Sequence, residues 1–163
     1  MPKLDTPNFH IALIEPEIPN NTGSIGRTCV GTASRLHLIG RLGFDISDRA
    51  VRRAGLDYWE NLDLVQHATH EEFLRHVPDS NRVFYFSKKA SKTIFDFQFQ
   101  KGDCFVFGKE TVGLDEGLLR ENEDRTLRIP MWGPIRSLNL SNAVAIVVYE
   151  ASRQVLFSGK SQT

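Results

Sequence analysis

At 163 residues the chain has room for about one domain that buries roughly two thirds of its unfolded surface. Twenty Lys and Arg balance twenty Asp and Glu, so no global field recruits a polyanion, and any nucleic-acid contact must rest on a local patch. No apolar run reaches the roughly 18 residues of a membrane span, the opening MPKLDTPNF lacks a signal-peptide core, and Cys29 and Cys104 are too few for a disulfide framework, so a reducing cytoplasm is expected.

The first strand is expected at 9–15, FHIALIE. PNNTGSIGRTC follows. Asn20, Asn21 and Thr22 read as a turn and helix cap, and a helix is expected over 23–34. Arg27 then stands one turn into that helix among the small residues Gly23, Ser24 and Gly26. RLHLIG (35–40) reads as a second strand, and a helix over 47–55 would carry Arg49, Arg52 and Arg53 on one face at i, i+3 and i+4. Tyr58 and Trp59 come next as possible stacking surfaces for bases. Six arginines stand between positions 27 and 53 against Asp45 and Asp48, the local patch that overall neutrality hides.

Further strands are expected at 61–66, 82–87, 104–108 and 126–130, with helices near 69–77 and 114–121. CFVFG (104–108) is apolar without alternation, as in a strand covered on both faces. The last element, 139–157, contains the β-branched run NAVAIVVYEA, but its polar lead-in and alanines favour a helix. Being apolar nearly all round, it is either a central core helix or one covered by a partner subunit. The alternation predicts one α/β domain over 1–163, a mostly parallel sheet with helices on both faces, with an N-terminal extension at 1–8 and a frayed tail at 158–163.

Several familiar sites are excluded. Gly102 with Gly108-Lys109-Glu110-Thr111 has one residue too many for a P-loop, and Glu110 stands where a hydroxyl should meet magnesium. No GxGxxG follows a strand. His67, His70 and His76 lack a Cys or Asp to complete a metal centre and read as surface residues, so no metal is expected. What remains is three loops after strands: the opening turn, FGKETVGL (107–114) and IPMWGPIRSLNLSN (129–142). Loops at the carboxyl ends of parallel strands are where open α/β sheets bind ligands.

Asn21-x-Gly23-x-x-x-Arg27, Gly108-x-Glu110-x-x-Gly113-Leu114 and Ser137-Leu138-Asn139-Leu140-Ser141-Asn142 resemble the three motifs of the SPOUT superfamily of RNA methyltransferases. EPEIPNNTGSIGRTC, RRAGLDYW and RSLNLSNAVAIVVYEA are similar to the TrmL-type tRNA (cytidine/uridine-34)-2′-O-methyltransferases. The likeness runs from about residue 9 to 157. It implies a C-terminal trefoil knot, S-adenosylmethionine as cofactor, tRNA as substrate and a homodimer.

Residue by residue, the resemblance implies that Phe86, Gly108, Ile129, Ser137 and Leu138 contact the cofactor, mainly through backbone groups. Glu110 is either a further hydrogen-bond acceptor there or a surface carboxylate. Arg27 is assigned to catalysis. Because arginine hardly ever loses its proton, it is expected to clamp a phosphate and stabilise an emerging alkoxide rather than act as a base. The bland alternative pairs it with Glu15 or Glu17. Asn21, Arg49, Arg52, Arg53 and Tyr149 are expected near RNA, with Tyr149 equally readable as a core or dimer residue. The chain departs from its relatives in the second loop, where Lys109 is positioned to supply a positive charge that relatives carry one turn later.

Overall fold

The computed structural model describes residues 3–47 and 56–157. Seven strands form one sheet: β1 His10–Ile14, β2 Arg35–Ile39, β3 Leu64–His67, β4 Val83–Phe86, β5 Lys92–Thr93, β6 Cys104–Phe107 and β7 Thr126–Arg128. Their order is β3-β2-β1-β6-β4-β7-β5, and every neighbouring pair is parallel. The helices are α1 Pro19–Gly31, α2 His70–His76, α3 Glu116–Glu121 and α4 Leu140–Leu156.

Side chains alternate across each strand, so β1 feeds two cores. Ile11 and Leu13 point to one face, where Ile25 and Cys29 of α1 and Val144, Val147, Val148 and Ala151 of α4 cover them. Ala12 and Ile14 point to the other, against Phe73 and Leu74 of α2 and Leu118 and Leu119 of α3. Helices therefore sit on both faces, as expected. Burial drives the Cys29 and Cys104 thiols well above their usual range, which makes both inert packing residues.

Several boundaries differ from the sequence reading. α1 begins at Pro19, not at 23, because proline pre-sets the dihedral of a first helical turn and lacks only an N–H that would go unused. Asn20 to Thr22 are thus inside the helix, and Arg27 lies in its middle. The third strand is shifted to 64–67 because Trp59–Asn61 form a 3₁₀ turn. β5 has only two residues and too little pattern to read. The expected helix over 47–55 falls largely outside the described residues.

The histidines are the clearest correction. His67 is only 4% exposed, and it ends a hydrogen-bonded row across three strands. His10 Nδ1 meets His37 Nε2 at 2.9 Å, and His37 Nδ1 meets His67 Nε2 at 2.9 Å. Parallel pairing of β1, β2 and β3 creates the row, a juxtaposition that sequence spacing does not reveal. His67 Nδ1 is buried without a partner among the described residues. Left as a bare lone pair it costs less than an orphaned N–H. We therefore assign the direction of donation as His67 to His37 to His10. His70 is half-buried against the Tyr85 hydroxyl, and only His76 is on the surface.

α4 also departs from one of the two alternatives offered by its sequence, the central core helix. It is not central: one side enters the core, while Ile146 and Tyr149 face outward.

Candidate active site

The three loops converge at the carboxyl ends of β1, β6 and β7, with Phe86 closing the end of β4 between them. They enclose a cavity of about 490 Å³ lined by Phe86, Gly108, Glu110, Ile129, Ser137 and Leu138, and by Asn21 from α1. All six residues expected at the cofactor therefore line one cavity. Phe86 stacks on Phe107 at 4.7 Å and 12°, giving the cavity a flat aromatic floor.

The second loop folds tightly on itself. Gly113 N–H donates to the Lys109 carbonyl at 2.9 Å, and Gly113 takes φ 73°, a region that favours glycine. A Cβ on Gly108 would lie 2.2 Å from the Gly113 carbonyl carbon, so no other residue fits there. The third loop is open by contrast. Among the described residues, the backbone of 130–138 has no hydrogen-bond partner within the protein.

A side-chain relay ties the loops together. Asn139 Oδ1 caps α4 by accepting from Ser141 N–H at 2.9 Å, while its Nδ2 donates to Asn21 Oδ1 at 2.9 Å. Asn21 Nδ2 in turn donates to Glu110 Oε1 at 3.2 Å. Glu110 also accepts the N–H groups of Glu17 (2.8 Å) and Ile18 (3.1 Å), so it caps α1, whose own N-cap, Ile18, has no side-chain acceptor. Glu110 is thus both a wall of the cavity and the acceptor that anchors α1. Asn21, expected to face RNA, is buried with its amide engaged at both ends.

Arg27 lies outside this cavity. Its side chain is 68% exposed, its guanidinium sits 4.6 Å over the Tyr58 ring, and its one ionic contact among the described residues is an exposed 3.9 Å approach to Asp57. Neither Glu15 nor Glu17 takes it. Two of the small residues around it serve packing within the chain. A Cβ on Gly26 would come within 3.2 Å of both Trp59 and Leu62, and the Tyr58 hydroxyl donates to the Gly23 carbonyl. Gly26 thus admits the 56–62 segment against α1. Trp59 is accordingly core, not a stacking surface, and burial raises the Tyr58 hydroxyl pKa.

Tyr149 is exposed on α4, beside a second, largely apolar groove that shares Ile129, Met131 and Leu138 with the cavity. Arg49, Arg52 and Arg53 lie outside the described residues. Lys109 spends its charge on Glu15 at 2.7 Å, so it does not replace the cation expected of the second loop. The sequence reading missed Glu17 and the relay role of Asn139; only the Asn139 position within a motif hinted at the latter.

A family model described as the SpoU rRNA Methylase family matches residues 8–149. The chain belongs to that family. A relative from Burkholderia pseudomallei, named tRNA (cytidine(34)-2′-O)-methyltransferase, is 47% identical over 153 residues, covering 93% of this chain and 98% of its own. A solved structure described as giving structural insights into the 2-OH methylation of C/U34 on tRNA is 41% identical, with a TM-score of 0.82 over 93% of this chain and 97% of that one. The SpoU methyltransferase AviRb from Streptomyces viridochromogenes, solved in complex with AdoMet, is 27% identical with a TM-score of 0.78, covering 96% of this chain and 63% of that one.

The cavity found here suits the SpoU-family cofactor. Its volume falls within the few hundred Å³ usual for small-molecule sites. Its walls combine aromatic and aliphatic surface with the free backbone donors and acceptors of the third loop, a match for an adenosine.

Proposed function

We propose that this protein transfers a methyl group from S-adenosylmethionine to the ribose 2′-hydroxyl of tRNA nucleotide 34, the wobble position. The observation that carries the reading is the convergence of three loops on one adenosine-sized cavity, in a chain nearly half identical, over almost its whole length, to an enzyme named for that reaction.

S-adenosylmethionine supplies an electrophilic sulfonium methyl. In this reading Phe86 bears on the adenosine, while backbone groups of Gly108, Ile129, Ser137 and Leu138 hold its polar edges. Tight loops suit that work because displacement demands near-attack geometry to within about 0.5 Å. As the 2′-oxygen forms its bond to the methyl carbon, the sulfonium S–C bond breaks to leave a thioether, and the hydroxyl proton passes to solvent. Arg27 holds a tRNA phosphate as a planar fork and stabilises the negative charge emerging on the oxygen. Arg49, Arg52, Arg53 and Tyr149 extend the RNA-facing surface.

A homodimer belongs to the same reading. Arg27 does not line the cavity of its own chain, so a second copy must bring its Arg27 alongside, or the RNA must span the gap. The outer face of α4, with Ile146 and Tyr149 exposed, supplies an apolar seam. Sedimentation at micromolar concentration should give about twice the 18.5 kDa chain mass; a monomer alone would count against it. The trefoil knot is supported by β7, last in the chain yet inserted between β4 and β5. A tRNA substrate places the enzyme in the cytoplasm.

Incubation with labelled S-adenosylmethionine and bulk tRNA, followed by mapping of the methylated nucleotide, tests the reaction. A base-methylated product, or unlabelled tRNA, overturns it. A second reading, methylation of another tRNA or an rRNA position, is favoured by the family's rRNA description and is separated by the same mapping.

A further inference from the structure

The second loop and the turn before α1 grip each other reciprocally. Glu110 accepts the backbone N–H of Glu17 at 2.8 Å, and Glu17 Oε2 accepts the backbone N–H and hydroxyl of Thr111 at 3.1 and 2.8 Å. Outside these, Lys109 Nζ meets Glu15 Oε2 at 2.7 Å, which holds the Glu15 carboxyl below its usual range. Each partner segment therefore gives and takes, through consecutive residues on one side and alternate residues on the other.

The turn needs such an anchor. Glu15 occupies the left-handed region at φ 47°, unfavourable for a residue with a side chain. Its Cγ lies where a Cβ on residue 40 would come within 2.9 Å, and Gly40 is what leaves that space. Two carboxylates two residues apart would also repel if unpaired, and Lys109 and Thr111 supply the pairing. One end of this contact lines the cofactor cavity, and the other starts the helix that carries Arg27.

We propose that Glu15, Glu17, Lys109 and Thr111 form a clasp of positioning residues that makes α1 follow the cofactor loop, so that filling the cavity tightens the grip on RNA. The inference rests on the methyltransferase reading above. A filled cavity fixes residues 108–114, the clasp passes that restraint to the turn and α1, and Arg27 meets the phosphate with less ordering left to do. Coupling of this kind is reciprocal and runs at roughly fivefold or more in affinity.

The test measures tRNA binding with and without saturating S-adenosylhomocysteine, and S-adenosylhomocysteine binding alone, for wild type and variants. Wild type should bind tRNA at least ~5-fold tighter with the cavity filled. Glu17→Ala should cut that gain below about twofold while leaving S-adenosylhomocysteine affinity and Tm near wild type. Glu17→Gln, whose amide oxygen can still accept from Thr111, should restore it. If Glu17→Ala does not fold, Glu15→Gln, which removes the charge facing Lys109 from outside the cavity, is read in the same way. A full gain in the clasp variants overturns the proposal. So does a wild type that methylates nucleotide 34 but gains nothing from the filled cavity. Failure of wild type to bind or methylate tRNA under any condition overturns the underlying function instead.

Discussion

The side-chain amide of Asn139 reaches 118 positions back along the chain to donate from Nδ2 to Oδ1 of Asn21 at 2.9 Å. Because Asn21 Nδ2 is committed to Glu110, neither amide in the relay can flip without losing a partner. Asn139→Asp separates the two duties of the residue. The carboxylate keeps the cap on α4 but faces Asn21 Oδ1 with a second acceptor. Urea unfolding should show a loss of about 1–3 kcal/mol, and Asn139→Ala should lose roughly 1 kcal/mol more by surrendering the cap. An Asp variant as stable as wild type would mean the relay does not hold the loops together.

Arg27 separates binding from chemistry. Its guanidinium does not line the cavity, so Arg27→Ala should leave S-adenosylhomocysteine affinity unchanged by calorimetry. Single-turnover methylation of tRNA should fall by about 10²–10³, the usual loss for one transition-state donor. Weakened cofactor binding in this variant would relocate the residue to the cavity.

Gly108→Ala tests the second loop. The added methyl would meet backbone atoms of Gly113 and Leu114 at 2.2 and 2.3 Å, and backbone cannot swing aside as a flexible side chain can. Cofactor binding should be lost, with a fall in stability of about 1–3 kcal/mol by thermal unfolding. The Gly26→Ala contact, at 3.2 Å with side-chain atoms, should be milder because Trp59 and Leu62 can give way.

The histidine row sets an acid limit on stability. Burial is the main cause that lowers His10 to about 4 and His37 to about 2, and it lowers His67 as well. The folded chain therefore holds these rings neutral while the unfolded chain protonates them near pH 6.5. Stability from this source is fully present above pH 6.5 and is lost as pH falls from there towards 4 for His10 and towards 2 for His37. Near pH 5.5, His10 and His37 together give a slope of roughly 2 kcal/mol per pH unit. Urea midpoints measured from pH 7 to 5 should show it, and His37→Leu should flatten the slope by about one proton. An unchanged slope in that variant would refute the assignment.

Much of the fold was legible because its signals are local. CFVFG reads as a doubly covered strand from five residues, and 139–157 reads as a helix from its lead-in and alanines. Gly108 and Gly113 mark a tight loop because few other residues tolerate such a backbone. β5 escaped notice because two residues carry no period, and Pro19 was passed over because the asparagines after it look like a cap.

By itself the sequence determined the parallel α/β architecture and the three loops, since periodicity and backbone tolerance are written at each position, while the residues that wall the cavity followed from its resemblance to a known family. Only the tertiary structure decided what the polar and small side chains do. Glu110 caps a helix about 90 residues away, Gly26 of α1 admits Tyr58 and Trp59, and three histidines from separate strands become one row. Those roles depend on which strands lie side by side, and hydrogen bonds between distant segments leave no spacing in the chain from which to read them.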